Sequence, residues 1–538
     1  MNKTNNNSIF RTKRVFLIFF FTLILISFLT TSSFPAQSNS KKVVIIPLDS
    51  RNQTYEYVQY IAKICGWDPV VPPREIMGNI SKYEDAFKKQ WNVWFWLKHN
   101  LDDDCKLLII SADSLIYGGL LESRKSSVST RQALNSVALI KIIRKKYPQL
   151  KILVFTSIPR KEAQHRQRNM SANMKLLEYV KEGVIDFLSV SGDDVTDISN
   201  QVREIVKMKD YIKRAGIGKK VLISDVDRIR LGIDESAMVL FTRFLNEKRK
   251  KRLKVYIEYR DITSSRMKID HYSATPIMSV ALDMVDSIGA DVVYEPEKAD
   301  LILAVNHLSG EKSIDDFLDR IENLLKEKPV TVGDLSNRKQ QAEFFRALYK
   351  RGMFNRLSGY ANWGMGTNTL GTALCEGCAS LYCPDRKANK EKIAFLYERM
   401  ITDFIYLDGI HLKLPGKTGI PAYSYHRMSI DEEKKALDLT NKKIMENLND
   451  LGIKYRVLKE GEPGAESGAS NIPGSGKINY IPLDPGEIGK TPGERIVFQF
   501  TANIPGNKYE KKAIIRIGPI SFPFHRLFEI NIPIKVGR

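Results

Sequence analysis

Carboxylate and amide side chains recur in this sequence where short apolar segments end. Asp49, Asp113 and Asp194 each follow such a segment, and so does Asn306. Carboxylates that lie close together can serve as proton donor and ionised partner in the cleavage of a glycosidic bond, or can hold a divalent cation for hydrolysis. A single acid here is more commonly the N-cap of the next helix, so a site requires several of them to meet.

Candidate substrate-binding side chains lie near the same segment ends. Arginine binds anionic groups through a planar fork of N–H donors, and amides or hydroxyls bind polar ligands. We expect Arg51, Arg124 and Arg160 to orient the substrate, and Asn362, Thr367 and Asn368 to bind its hydroxyl or anionic groups. The full set of predicted binding residues is Arg51, Asn52, Tyr117, Arg124, Arg160, Asn306, Asn362, Trp363, Thr367 and Asn368. Trp363 either stacks on a sugar ring or packs in the core.

A glycine-rich turn stands before three of these residues. Gly364 and Gly366 precede Thr367, and a helical pattern follows, so free backbone N–H groups at a helix start could bind an anion or hydroxyl. The Gly-Lys-Ser/Thr ending of a phosphate-binding loop is missing, and no clear strand supports a dinucleotide fingerprint. The sequence therefore identifies no organic cofactor, and a divalent cation is the one inorganic cofactor that it leaves open.

Five cysteines add a second, weaker set of candidates: Cys65, Cys105, Cys375, Cys378 and Cys383. The last three resemble half of a zinc site, but neither a nearby histidine nor a second cysteine pair completes it. A disulfide and simple burial of small side chains are the alternatives. The chain also lacks a Gly-x-Ser-x-Gly segment, which argues against a serine enzyme of the α/β-hydrolase type.

The elements that must position these residues follow from the hydrophobic pattern. Continuous apolar, β-branched runs predict strands that are buried on both faces, as in a parallel sheet. Such runs occur at 43–49, 107–113, 152–157, 187–194, 221–225, 255–261, 301–306 and 330–334. Helical periodicity separates them, as in Ile277–Ile288 with Gly289 at its C-terminal cap. Because open parallel sheets bind ligands outside the carboxyl ends of their strands, we expect the strand-end residues to form one polar cleft.

We predict an α/β protein with two doubly wound parallel-sheet modules, Rossmann-like or flavodoxin-like, and a small C-terminal antiparallel β module. Eight strands could instead close into a (β/α)8 barrel, but the extra strand after each βαβ start favours open sheets. The predicted divisions are a leader at 1–36, a first α/β domain at 41–250, a second at 251–455 with the glycine-rich loop, a linker at 456–477 and a β-rich module at 478–538.

The N-terminal leader predicts that the protein functions outside the cytoplasm. Four basic residues precede the 15-residue apolar run Val15–Leu29, and a small-residue stretch with Ala36 as cleavage point follows. We expect either cleavage after export or a retained membrane anchor, although the run is shorter than the ~20 residues of a full span. Removal of residues 1–36 lowers the formal net charge from +21 to +17. The expected anionic partners are cell-wall polymers or lipid head groups, and not nucleic acid.

Together these motifs resemble a bacterial family known as domain of unknown function 4127, from about residue 43 to about residue 440. The resemblance is carried by 47–52, 71–75, 113–124, 192–205, 232–247, 299–306 and 360–377. The family usually has two adjacent acids where this chain has Asp49 and Ser50, and Met365 stands in a stretch that is typically richer in small residues. The resemblance implies no established reaction, but it strengthens the case for the strand-end residues.

The leading hypothesis is an exported hydrolase-like enzyme that acts on a polar, glycan-type substrate, with Asp49, Asp113 and Asp194 as catalytic candidates. The alternative is a two-lobed extracytoplasmic protein that binds its ligand without chemistry. A third hypothesis is a structural protein of the envelope whose basic face docks on an anionic polymer. Two carboxyls about 5–9.5 Å apart across a pocket would favour glycoside cleavage. Carboxylates that are neutralised by arginine would favour binding.

Overall fold

The structure is a computed structural model that describes residues 41–77, 86–158, 165–192, 198–223, 232–266, 275–307, 313–364, 366–411, 428–459, 496–504, 511–518, 520, 532 and 534–537. Residues Lys41–Arg538 form one compact unit. The predicted leader, most of the predicted linker and the site candidates Arg160 and Asp194 lie outside the described residues. Within the described part of the chain, no helix is long and apolar enough to cross a membrane.

Six parallel strands form the first sheet. They are β1 (Lys41–Ile46), β2 (Trp67–Val70), β3 (Cys105–Ser111), β4 (Lys151–Ile158), β5 (Phe187–Gly192) and β6 (Val221–Ile223). Their order across the sheet is β2-β1-β3-β4-β5-β6. The direction of strand addition reverses between β1 and β3, and this switch point is where open α/β sheets form a ligand-binding crevice.

Five parallel strands form the second sheet. They are β7 (Lys254–Tyr259), β8 (Asp291–Val293), β9 (Leu301–His307), β10 (Val330–Leu335) and β11 (Gly359–Ala361). Their order, β11-β10-β9-β7-β8, repeats the arrangement of the first sheet, with its switch point between β7 and β9. The prediction of two doubly wound modules is confirmed. The barrel alternative is wrong, because the strands divide between two open sheets.

The predicted C-terminal antiparallel module is also present. It contains β12 (Tyr455–Lys459), β13 (Ile496–Ile504), β14 (Lys511–Ile517) and β15 (Ile534–Gly537), which pair in chain order. The first strand, β12, begins at Tyr455, before the predicted start of the module at residue 478. β12 pairs with β13, although a Gly/Ser/Pro-rich segment separates the two strands in the sequence. Composition predicts a linker for that segment and gives no information about this pairing.

Helices connect and cover the strands. The described α-helices are α1 (Asn52–Tyr55), α2 (Tyr57–Ile64), α3 (Arg74–Met77), α4 (Ala86–Asn100), α5 (Ala112–Tyr117), α6 (Leu120–Lys125), α7 (Thr130–Lys146), α8 (Arg166–Lys181), α9 (Ile198–Ala215), α10 (Ser236–Glu247), α11 (Ile277–Ser287), α12 (Ile314–Leu324), α13 (Arg338–Lys350), α14 (Gly366–Leu381), α15 (Arg386–Arg399) and α16 (Ile430–Asp450). A π-helix at Met400–His411 follows α15 directly. Gly289 ends α11 with φ +71°, as the sequence predicts for a C-terminal cap.

Helix α14 packs against both α/β modules. It contacts β10 and β11 of the second sheet, and it also contacts α2 and α10. Two glycines permit the close approach: a Cβ on Gly359 would lie 2.8 Å from Glu376 Cβ, and one on Gly377 would lie 3.0 Å from Thr331 Cβ. Buried residues of both sheets, such as Ile45 and Leu303, therefore belong to one hydrophobic core with the apolar side of α14.

Candidate functional site

An arginine lies between two carboxylates at the carboxyl end of β1. The guanidinium of Arg51 donates to Asp49 Oδ2 from Nε at 2.9 Å and from Nη2 at 2.7 Å. It also donates to Asp234 Oδ1 from Nη2 at 2.7 Å and to Oδ2 from Nη1 at 3.1 Å. Thr54 Oγ1 donates to Asp49 Oδ1 at 2.7 Å. We call Asp49, Arg51 and Asp234 the Asp–Arg–Asp clamp.

The clamp keeps its arginine charged. Burial by itself lowers the pKa of the Arg51 guanidinium, but the charges of Asp234 and Asp49 outweigh burial and hold this pKa above its ordinary value. The side chain of Arg51 is 12% exposed and that of Asp234 is 16% exposed, so the clamp reaches the surface at its Asp234 end. With two carboxylates and one guanidinium, the clamp carries a net negative charge.

The loop that carries Asp234 lies on the N-terminus of α14. Glu235 Oε2 accepts a hydrogen bond from Asn368 Nδ2 at 2.8 Å. Gly232 has φ +117°, and a Cβ there would overlap Thr367 Oγ1, so only glycine allows this approach. Two predicted binding residues, Thr367 and Asn368, are thereby brought next to the clamp. Asp234 and Glu235 are not among the predicted site residues, because a pair of acids directly before an apolar helix is equally explained by compensation of the helix dipole.

A buried ion pair lies behind the clamp. Lys89 Nζ is 2.6 Å from Glu122 Oε1, and both side chains are at most 3% exposed. A Cβ on Gly119 would lie 2.7 Å from Glu122 Oε2 and 3.7 Å from the carbonyl oxygen of Leu48, which places Glu122 beside the end of β1. Burial raises the pKa of Glu122, Lys89 opposes this shift, and the charge of Asp49 adds to it. Neither Lys89 nor Glu122 stood out in the sequence.

The residues that follow β3 lie on the opposite side of the switch point from the residues that follow β1. Asp113 accepts from the Ser157 backbone N–H at 2.9 Å and from its hydroxyl at 2.7 Å, so it joins the ends of β3 and β4. The Arg168 guanidinium lies 4.4 Å from the centre of the Tyr117 ring. Burial raises the pKa of the Tyr117 hydroxyl, and Arg168 opposes the shift. Arg124 is buried on α6.

Two asparagines near these ends also carry unpaired polar atoms. Asn52 accepts from Arg74 Nη2 at 2.9 Å, but its own Nδ2 has no partner among the described residues. Asn362, directly after β11, is 4% exposed, and neither atom of its carboxamide is hydrogen-bonded within the described part of the chain. Trp363 is buried edge-on against Tyr57 at 5.8 Å and donates to Thr372 Oγ1 at 3.2 Å, which favours its core alternative over sugar stacking.

Asn306 belongs to a different edge. It lies at the end of β9, where its Nδ2 donates to Asp334 Oδ1 at 2.8 Å and to Ser336 Oγ at 3.2 Å. Burial raises the pKa of Asp334 to about 6, although the hydrogen bonds from Ser336 and Asn306 oppose the shift. At this edge Asn306 is joined to Asp334 and Ser336, whereas Asp49 and Asp113 follow strands of the first sheet. A common rim that includes Asn306 stays a prediction.

A buried acid cluster supports the segment that holds Asn362. It comprises Tyr57, Glu376, Arg399 and Asp403. Asp403 accepts from Arg399 Nη1 at 2.8 Å, from the Tyr57 hydroxyl at 3.1 Å and from the Asn362 backbone N–H at 3.5 Å. Burial raises the pKa of Asp403 to about 6 and that of Glu376 to about 8, with Arg399 opposing both shifts. Glu376 Oε2 accepts from the Tyr360 backbone N–H at 2.9 Å, so the cluster holds the polypeptide at Tyr360 and at Asn362.

The cysteines form no disulfide. Cys65 and Cys383 are partly buried, and Cys105, Cys375 and Cys378 are buried. Burial raises the pKa of the Cys378 thiol to about 12, which keeps it protonated and unreactive. Among the residues that the structure describes, no group of three or more histidine, cysteine or acidic side chains is arranged to hold a metal ion.

Comparison with known families gives one match. The family model described as "Protein of unknown function (DUF4127)" matches residues 43–165 and 161–533, which is more than half of the 538 residues. The predicted resemblance is confirmed, and it extends further toward the C-terminus than expected. No curated protein matches the chain.

Replacement of the clamp arginine tests its structural role. Arg51→Met leaves two carboxylates facing each other without a cation, and we expect the free energy of unfolding to fall by about 3 kcal/mol. Urea unfolding measures this loss. Arg346→Met, which removes a solvent-exposed arginine–carboxylate pair, is the matched control and should leave the urea midpoint almost unchanged. Equal midpoints for the two variants would contradict the importance of the clamp.

The acid cluster predicts a pH dependence of stability. Because the folded state raises the pKa of Glu376 to about 8, folding favours its neutral form, and the free energy of unfolding should fall as pH rises from about 4.5 to 8. Glu376→Gln should remove a loss of ~4 kcal/mol over this range. Urea unfolding at pH 5 and pH 8.5 compares the two proteins, with the exposed Glu327→Gln as control. Parallel profiles of wild type and Glu376→Gln would refute the assignment.

Proposed function

Since the chain belongs to the DUF4127 family, which supplies no reaction, we propose from its own geometry that it binds a hydroxyl-rich, glycan-type ligand outside the cytoplasm. The ligand would bind at the switch point of the first sheet, between the Asp–Arg–Asp clamp and the N-terminus of α14. The extracytoplasmic location rests on the leader sequence, in which a basic segment precedes an apolar run.

The clamp is the observation that carries this proposal. Asp49 follows β1, Asp234 precedes α10, and their carboxylates hold one guanidinium from opposite sides. Carboxylate oxygens have several lone pairs and accept hydrogen bonds from hydroxyls, so two carboxylates held side by side by one guanidinium suit neighbouring hydroxyls of a sugar. Its net negative charge disfavours an anionic ligand and favours a ligand that donates hydrogen bonds.

Unpaired buried polar groups support the same location. An unsatisfied buried donor or acceptor costs about 1–3 kcal/mol, so such groups in a folded protein require an explanation. Asn52 follows β1, and Asn362 follows β11 and precedes α14 by four residues; each has a buried polar atom without a partner among the described residues. A ligand with several hydroxyls could satisfy such groups. Asn52 lies at the carboxyl end of the first sheet, and Asn362 leads into the helix whose N-terminus meets the loop of Asp234.

The geometry favours binding over catalysis by the predicted acids. Asp49 is bonded to Arg51 and Thr54, and Asp113 is bonded to Ser157, so both carboxylates already have strong donors. Carboxylates whose oxygens are held by such donors are fixed in position, which suits them to orienting a ligand. The catalytic roles of Asp49 and Asp113 remain predictions, as does that of Asp194, which lies outside the described residues.

Calorimetric titration tests the binding proposal. The probes are cellotetraose, chitotetraose and a soluble peptidoglycan disaccharide-peptide. We expect saturable binding of at least one probe, and an affinity loss of at least tenfold in Asp234→Asn and in Asn362→Ala, since each removes hydrogen bonds to the ligand. Asn323→Ala, at an exposed position of α12, is the matched control. Absence of binding to all three probes, or equal affinity in all variants, would overturn the proposal.

Hydrolysis of the bound glycan is the second candidate, and Glu122 favours it. Burial raises the pKa of this carboxyl although Lys89 opposes the shift, and the carboxyl lies near Asp49. Glycoside cleavage needs a proton donor beside an ionised partner, so hydrolysis requires Glu122 to carry a proton and to leave its ion pair with Lys89 when the glycan is bound. In such a reaction, Glu122 would give its proton to the glycosidic oxygen as the C–O bond breaks. Water would then add to the anomeric carbon, and its proton would return to a carboxylate.

A reducing-end assay on the same three probes distinguishes hydrolysis from binding alone. If Glu122 is the proton donor, Glu122→Gln should lower turnover at least 100-fold while probe affinity in calorimetry changes little. Asp49→Asn should lower both quantities. Addition of a chelator reports on a divalent cation separately. Binding without release of new reducing ends would reject hydrolysis and leave the binding proposal intact.

A further inference from the structure

The amino edge of the first sheet carries a concentration of basic side chains. This edge is where strands begin and helices end, opposite the clamp. The last turn of α9 and the connection from α9 to β6 contain Lys213, Arg214, Lys219 and Lys220 with no acid, and all four are exposed. The connection from α10 to β7, residues 248–254, has six basic residues in seven and again no acid. We call these two connections, with Lys41 and Lys151, the basic edge.

The lysines of this edge crowd one another. Lys41 Nζ and Lys248 Nζ both lie 5.8 Å from the centre of the Trp67 ring, and Lys248 Nζ also lies 3.9 Å from that of Phe244. Partial burial lowers the pKa of Lys248, and the positive charges of Lys41 and Lys151 lower it further. Like charges held this close repel each other, so an external anion would stabilise the edge.

The excess charge is local. Three cations of the basic edge are paired with acids: Lys151 lies 3.0 Å from Asp186, Arg252 lies 3.3 Å from Asp291, and Arg249 lies 3.8 Å from Asp300. Within the described part of the chain, Lys219, Lys220, Lys250 and Lys251 form no ion pair. The unpaired positive charge of the edge is therefore concentrated in its two lysine-rich segments.

We propose that the basic edge docks on the anionic surface of a lipid bilayer. Clusters of lysine and arginine bind anionic head groups, and the attraction increases with the number of basic residues near the surface. The covalent chain favours a membrane over a soluble polyanion: only residues 30–40 separate the apolar run Val15–Leu29 from Lys41, at the start of β1. Eleven residues reach at most about 40 Å, so an apolar run inserted in a bilayer would keep the basic edge nearby.

Vesicle co-sedimentation tests the proposal with residues 41–538, which form a compact unit without the leader. The probes are equimolar phosphatidylglycerol–phosphatidylcholine vesicles and pure phosphatidylcholine vesicles. We expect binding to the anionic vesicles only, with loss of binding in 0.5 M salt. The combined Lys219→Gln, Lys220→Gln, Lys250→Gln and Lys251→Gln variant should bind at least tenfold more weakly, because each lysine contributes roughly fivefold.

A control variant shows whether vesicle binding depends on the charge of the basic edge or on the total charge of the protein. The combined Lys339→Gln, Lys434→Gln, Lys435→Gln and Lys442→Gln variant removes the same charge from exposed positions on α13 and α16, and it should keep the wild-type affinity. Urea unfolding of both variants checks that they fold. Equal losses in the two variants, binding to neutral vesicles, or retention on a soluble polyphosphate without binding to anionic vesicles would each overturn the proposal.

Discussion

The burial of α14 between two α/β modules is the constraint on which the candidate site depends. The helix packs on β10 and β11 at distances that Gly359 and Gly377 permit, while its other neighbours include α2 and α10 of the first module. Because apolar residues of both sheets share one core around it, the N-terminus of α14 is fixed against the loop at Gly232. The clamp can form because that loop also carries Asp234.

Charge is separated across the first sheet. The carboxyl edge carries the Asp–Arg–Asp clamp and Glu235, while the amino edge carries the lysine-rich connections. A parallel sheet makes this separation possible, because all of its strands begin on one side and end on the other. The overall charge of +21 therefore says little about the ligand, since the clamp by itself has two carboxylates and one guanidinium. The two edges suit different partners and do not compete for the same surface.

Two buried acids lower the stability of the folded protein, because burial disfavours their charged forms. Glu376 and Asp403 are fully buried, and their raised pKa values show that burial outweighs the attraction of Arg399. Such groups are expensive to retain, and the cluster holds the chain at Asn362, whose carboxamide has no partner in the described structure. A fixed position of Asn362 for ligand recognition would account for this cost in folding stability.

The sequence by itself determined the strands, the antiparallel module and the cap at Gly289, because these depend on local periodicity and backbone preference. It also placed Asp49 and Arg51 at a strand end. It could not join Arg51 to Asp234, 183 positions away, or Glu235 to Asn368, 133 positions away. Nor could it join Asn306 to Asp334, or pair Lys89 with Glu122. These contacts depend on how two sheets pack around α14, and no local pattern encodes the approach of distant segments.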